Sequence, residues 1–266
     1  MPNRRLSTVA VATASIVSLQ LVSSVTPLAF FLNRSFNISF IAPALANTPQ
    51  YVPPASRGTP KRTTGGGARG GCLKSIPVSI TLLVPNDHVG QTALERPTFS
   101  WYVSNPTSVS VPMQFALVEP GVARPLLVKS LKAGKTGLEQ LEIPQNAPKL
   151  QSGHEYRWAV SVICNTQRPS ENLYVMGWVK RVTARANQAK AIALAGSDNE
   201  RALVYARTGL WYDALAAMSR AYQANPQNRS TFESFVSLLD EVGLTQVAMQ
   251  ERKSFSSQYR NPNALI

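Results

Sequence analysis

Histidine and cysteine are nearly absent, with two of each in 266 residues. Such a chain has little material for histidine-based catalysis or for a zinc site, and His88, His154, Cys72 and Cys164 include no short-spaced ligand pair. Gly-x-Ser-x-Gly and His-Glu-x-x-His are missing as well. Acidic residues are also scarce, 14 Asp and Glu against 27 Lys and Arg. No cofactor is expected. A hydrophobic fraction of 44% nevertheless supplies enough apolar material for a packed core.

What is present divides by segment. Arg4 and Arg5 open an acid-free stretch, residues 9–32 carry no charge, and Ala44-Leu45-Ala46 has the small-x-small form behind which signal peptidase cuts. Residues 1–46 therefore read as an export signal with cleavage after Ala46. Leu6-Ser7-Thr8 makes a poor twin-arginine motif. An uncleaved membrane anchor is the competing reading, since the apolar run exceeds the ~18 residues that can span a bilayer. Pro27 and the Ala-Leu-Ala site favour cleavage.

Residues 47–71 are rich in Pro, Gly, Ser and Thr, and Arg57, Lys61, Arg62 and Arg69 face no acid there. This composition predicts a disordered basic arm. Its glycine run, 65–71, resembles a phosphate loop only superficially: no Gly-Lys-Ser/Thr ends it and a strand follows.

From Ile76 the apolar period is two: Ile76, Val78, Ile80 and Leu82, then Phe99, Trp101 and Val103, then Met113, Phe115 and Leu117. Further strands are expected at 125–131, 138–143, 154–164 and 173–182. Seven short strands without an intervening helix predict an antiparallel β-sandwich over 72–183, of immunoglobulin or fibronectin type III kind. In Leu150-Gln-Ser-Gly-His-Glu-Tyr156 the tyrosine opens a strand after a turn, the position at which such domains bond a tyrosine hydroxyl back to the chain, so Tyr156 reads as a structural corner. In a seven-strand path, the start of the first strand and the end of the sixth share one end. Cys72 and Cys164 fall there, and export permits thiols to pair. A disulfide closing a loop of about 90 residues would stabilise by roughly 4 kcal/mol. Two buried small apolar side chains are the alternative.

Beyond Val182 the period becomes helical. Residues 184–195 predict a first helix, and Ser197 with Glu200 and Ser230 with Glu233 read as capping boxes. Gly209-Leu210-x-x-x-Ala214 recurs as Gly243-Leu244-x-x-x-Ala248, an offset of 34 residues. Ala202, Tyr205, Gly209, Trp211, Ala214, Met218, Ala221 and Pro226 follow the pattern of a tetratricopeptide hairpin, and the second copy is degraded, with Thr245 in place of the aromatic. An α-helical tetratricopeptide-like block over 184–266 is expected, packed on the sandwich. Trp211 and Tyr212 then read as core rather than ligand contacts. Glu139, Glu142 and Glu155 read as solvated strand positions, not as a carboxylate pair for glycoside hydrolysis.

The proline-rich arm running into Gly65–Cys72, then Pro97-Thr98-Phe99-Ser100-Trp101-Tyr102-Val103, Tyr156-Arg157-Trp158, Gly177-Trp178 and Tyr205-Ala206-x-x-Gly209-x-Trp211-Tyr212-Asp213-Ala214-Leu215 together resemble the cyanobacterial "domain of unknown function 928" family. The resemblance spans nearly the whole chain after the leader. It implies a cyanobacterial envelope protein and brings no activity or site residues.

The expected role is therefore that of an exported, non-catalytic binding or scaffolding protein of the periplasm or cell envelope, acting through contacts with another envelope protein. Anionic envelope polymer held by the basic arm is the alternative partner, and an envelope-polymer enzyme without a recognisable motif the third. Membrane association would be peripheral once the signal is cleaved. Nucleic acid is not an expected partner, since export separates the arm from it.

Overall fold

The computed structural model describes residues 50–55, 63–65, 78–104, 111–133, 135–168, 170 and 172–260. Its strands are β1 (Thr63–Gly65), β2 (Ser79–Leu82), β3 (Gly90–Thr92), β4 (Thr98–Ser104), β5 (Val111–Val118), β6 (Leu127–Ala133), β7 (Gly137–Glu142), β8 (Glu155–Val162) and β9 (Leu173–Arg181). Five helices follow, α1 (Ala186–Leu194), α2 (Asp198–Arg207), α3 (Trp211–Ala224), α4 (Arg229–Glu241) and α5 (Thr245–Arg260). None of the helices among the described residues is long and apolar enough to cross a membrane.

The period-two runs form strands because alternation leaves one face to bury. Val111, Met113, Phe115 and Leu117 of β5 are buried, as are Tyr156, Trp158, Val160 and Val162 of β8. The larger sheet runs β1-β9-β8-β5-β6, and β3 also pairs with β9. Because β8 occupies one edge of β9, β1 at Tyr174–Met176 and β3 at Val179–Arg181 share the other edge end to end. The smaller sheet is β2-β4-β7.

Mixed α and β content stands, but the expected fold class is corrected. The sheet arrangement is not a clear β-sandwich of immunoglobulin or fibronectin type III kind followed by a tetratricopeptide-like block. Two strands unforeseen in the seven-strand path appear, and one of them, β3, runs parallel to β9 in an otherwise antiparallel sheet. Moreover, the aromatic side chains assigned to an all-strand core are shared with a helix. Phe99 of β4 packs on Phe115 (ring centroids 5.2 Å), Trp158 (4.9 Å) and Tyr212 of α3 (5.6 Å). Trp158 Nε1 donates to the Tyr212 hydroxyl at 2.8 Å, which donates to the Trp178 carbonyl, also at 2.8 Å. Trp211 Nε1 donates to the Leu83 carbonyl at 2.8 Å. These bonds let polar-edged rings sit at 0–1% exposure without an unsatisfied donor. Strands and helices contribute to one hydrophobic cluster.

The 34-residue repeat is written into the turns. Gly209 and Gly243 adopt φ of +79° and +80°, and the next residue donates back into the preceding helix in the same way, Leu210 to Tyr205 at 3.0 Å and Leu244 to Leu239 at 2.9 Å. Glycine reaches this left-handed conformation without the Cβ penalty. Ser197 caps α2 as expected, accepting from the Glu200 amide at 3.2 Å. At α4 the cap lies two residues earlier than read: Asn228 accepts from Thr231 at 3.1 Å, and Ser230 lies within the first turn.

The head of the segment read as a disordered arm is packed. Tyr51 is 7% exposed, stacked on His88 and edge-on to Trp211, and its amide donates to the Glu241 carboxylate. The Val52 amide donates to the Ala206 carbonyl at 3.0 Å. One aromatic ring anchors a stretch whose other residues argue for solvent, and β1 pairs a second piece of it with β9.

Candidate functional site

The residues singled out in the helical segment differ in burial. Ala202, Trp211, Ala214 and Met218 are fully buried and Tyr205 nearly so, while Ala221 is half-buried and Pro226 exposed after α3. Tyr156 is buried and its hydroxyl accepts from the Gln151 amide at 2.8 Å, tying the start of β8 to the turn before it. Glu142 is exposed on β7, and burial raises the pKa of Glu139 on the same strand. Cys164 follows β8, with its amide bound to Asn172 Oδ1 at 2.9 Å. Ala46, Arg57, Lys61, Arg62, Arg69 and Cys72 lie outside the described residues. No group of three His, Cys, Asp or Glu able to hold a metal ion occurs among the described residues.

A site the sequence reading missed forms where the β5–β6 turn meets the start of β8. Two adjoining cavities of about 420 and 460 Å³ share Glu119, Pro120 and Trp178. Val118, Gly121, Val122 and Arg157 line the first, and Gly153, His154 and Glu155 the second. Trp178 stands on the outward face of β9, between buried Gly177 and Val179, opposite Arg157 of β8 and, one strand further, Val118 of β5. His154 Nδ1 donates to Glu119 Oε1 at 2.5 Å and so bridges the two turns. Gly121 and Gly153, both at positive φ, have no atom within 4 Å of the place a Cβ would take, so the rim is open. The result is an indole bordered by two carboxylates, an imidazole and a guanidinium. Cavities of this size with a few convergent polar groups suit a small ligand or a segment of polymer.

The family model described as Domain of Unknown Function (DUF928) matches residues 64–252. The chain belongs to the DUF928 family. No curated protein matches it. Among solved structures, a multi-domain immunophilin from Arabidopsis thaliana aligns with 62% of this chain and 98% of its own at 8% identity, and a TM-score of 0.17 carries no argument about the fold.

In this DUF928 chain the Gly209–Leu215 string that carried the resemblance does structural work. Asp213 is 2% exposed and accepts from the Thr92 hydroxyl at 2.5 Å and the Ala93 amide at 2.6 Å, fixing α3 to the end of β3. Burial pushes its pKa up to about 7, against the lowering effect of those two bonds. Gly90 of β3 is needed there: a Cβ would come within 2.9 Å of the Tyr212 ring and 3.2 Å of Trp211.

A second polar constellation in the DUF928 fold resembles a catalytic row in its order. Asp87 Oδ1 lies 2.7 Å from His88 Nδ1, and His88 Nε2 lies 2.7 Å from the Tyr51 hydroxyl. The carboxylate accepts a hydrogen bond from Nδ1–H, which leaves Nε2 to accept from the tyrosine hydroxyl. Yet the His88 side chain is 1% exposed, and burial, then Asp87, raises the pKa of Tyr51. A hydroxyl made less acidic in a closed site is a poor nucleophile. The row pins the 50–55 segment to the core.

Proposed function

We propose that this chain is an exported, non-catalytic binding protein of the bacterial cell envelope, engaging its partner through the groove around Trp178. The observation that carries the reading is that groove: a half-buried indole among Glu119, His154, Glu155 and Arg157, open at a rim formed by two turns. The leader, with Arg4, Arg5, its uncharged run and Ala44-Leu45-Ala46, supports export, and the family resemblance supports a cyanobacterial source. A Cys72–Cys164 disulfide fits the oxidising compartment; mass spectrometry of unreduced protein should show the two peptides joined, and free thiols on both would end that assignment. The test of function is co-sedimentation of purified protein with envelope material. Trp178→Ala should reduce retention by about tenfold, a loss of about 1.4 kcal/mol. Unchanged retention would overturn the reading.

Anionic polymer at the basic arm is the second reading, favoured by one observation. Arg185 and Arg207 line a cavity of about 360 Å³ with residues 52–55 of the arm. Replacing Arg57, Lys61, Arg62 and Arg69 with glutamine should then abolish retention and its dependence on salt. Retention at wild-type level would exclude the arm.

A further inference from the structure

We infer that the open edge of β6 is a docking site for an extended, acidic segment of a partner protein, which joins the larger sheet as a further strand. This surface is separate from the groove around Trp178, and neither reading needs the other.

Between Glu119 and Glu139 the sequence carries Arg124, Lys129, Lys132 and Lys135 and no acid. The fold strings these cations along one strand and its two flanking turns. All four are exposed, and among the described residues none has a hydrogen-bond or ion-pair partner for its side chain. β7, at the edge of the smaller sheet, instead carries Glu139 and Glu142 and is met at Gln140 by Gln223 of α3.

β6 ends the larger sheet, with β5 as its one neighbour among the described strands. The direction of its backbone groups follows from β5. Pro112 accepts from the Ile163 amide just after β8, and Leu117 accepts from the Leu126 amide just before β6. Even-numbered residues of β5 therefore bond toward β8 and odd-numbered ones toward β6. The odd-numbered residues pair with Leu127, Lys129, Leu131 and Ala133. The N–H and C=O groups of Val128, Ser130 and Lys132 consequently point away from the sheet. An extended peptide can pair with them residue by residue, whereas a flexible polyanion brings no matching row of donors.

The side chains along this edge define what the incoming strand must carry. Leu127, Lys129 and Leu131 share the inward face with Leu117, Phe115 and Met113. The two leucines are only half-buried and Lys129 is exposed, so the flank of the core is unfinished at β6. Apolar residues opposite Leu127 and Leu131 would complete it, and an acid opposite Lys129 would pair with the ammonium. On the outward face Lys132 calls for a second acid, and Val128, 50% exposed, for an apolar neighbour. In antiparallel register these demands read Glu-Ile-Thr-Glu-Val-Ile, from the residue opposite Lys132 to the residue opposite Leu127. Lysines on an edge also discourage pairing between identical chains. A second copy would bring cations to cations here, while an acidic strand is drawn in.

The test is fluorescence anisotropy of the purified protein with a labelled Glu-Ile-Thr-Glu-Val-Ile peptide. Binding should saturate, weaken in high salt, and fall by about tenfold or more when Lys129→Glu is combined with Lys132→Glu. Two further changes separate strand pairing from plain charge attraction. Ser130→Pro removes an outward amide and leaves the bonds to β5, as proline on an edge strand permits; it should weaken binding by about tenfold. Methylating the peptide's threonine nitrogen, which faces β6, should do the same without altering the protein, and methylating the nitrogen of the second glutamate, which faces away, should not. Circular dichroism confirms that each variant is folded. Absence of saturable binding overturns the inference. So does binding that ignores both Ser130→Pro and the threonine methyl group, or polyglutamate that binds as tightly as the peptide, either of which would make β6 a surface for polyanions at large.

Discussion

Asp213 is bound by the Thr92 hydroxyl and the Ala93 amide, and the burial that sets α3 against β3 also resists its ionisation. Its folded pKa of about 7 lies above the ordinary 3.8, so between those values the native state holds a proton that the unfolded chain has released. The contribution is therefore most favourable at low pH and declines as pH rises from about 4 to about 7. Burial shifts Glu139, Glu241 and Glu251 upward too, with the same sign. Asp213→Asn keeps an acceptor for the Ala93 amide and supplies a donor that the Thr92 hydroxyl can accept. Urea midpoints measured at about pH 4.5 and about pH 8 should then differ less in the variant than in the wild type. An identical difference would mean that Asp213 is ionised throughout. Asp213→Ala leaves both donors without a partner and should cost about 1–3 kcal/mol for each at about pH 4.5, and less at about pH 8, where the wild type has lost the contribution of the protonated carboxyl.

At the scale of elements, the two repeated turns do the same task. Each ends a helix with a left-handed glycine, and each seats a non-helical segment: the Gly209 turn touches the backbone of Val52 and Pro54, and the Gly243 carbonyl accepts from Asn86 Nδ2 at 2.8 Å. An added Cβ would lie 3.0 Å from the Val52 carbonyl oxygen in the first and 2.4 Å from Asn86 Nδ2 in the second. Gly209→Ala should therefore cost more than the about 1–2 kcal/mol of left-handed strain alone. It should also make residues 53–55 more accessible to protease. Gly121→Ala, at the same sign of φ with open space around it, should show only the strain. Equal losses of thermal stability in the two variants would mean that the 50–55 segment contributes nothing at its seat. The seven expected strands are all present; β5 and β8 alternate because one face of each is buried, whereas β4 is buried on both faces. The three-residue β3 carries no period; its place comes from β9 and from Asp213, more than a hundred positions away. Tyr51 is one ring in a proline-rich stretch, and composition averages it away. The groove was equally illegible: Glu119 and His154 lie 35 residues apart and meet only once β5 and β8 pair. Trp178 drew notice solely as half of Gly177-Trp178.

For the molecule as a whole, the question is whether the sheets can close a core without the helices. Phe99 and Trp158 turn toward each other and toward Tyr212, whose hydroxyl holds Trp158 Nε1 on one side and the Trp178 carbonyl on the other. Trp211 fills the neighbouring space under Leu83 and against Tyr51. Removing residues 184–266 would leave the Trp158 indole donor without its partner and the Thr92 and Ala93 donors without Asp213, and it would uncover the aromatic rings beneath. Losing one such ring from a core costs about 3–5 kcal/mol, a large share of the about 5–15 kcal/mol by which domains are stable. The segment 72–183 alone should therefore show no cooperative unfolding. In the full protein the near-ultraviolet signal of the buried Trp158 and Trp211 should be lost at the same denaturant concentration as the far-ultraviolet helix signal. Two separated transitions, or a folded 72–183 fragment with its own midpoint, would show that the helices are an attachment. Coincident transitions would show that α3 is part of the core, and with it the strand that carries Trp178.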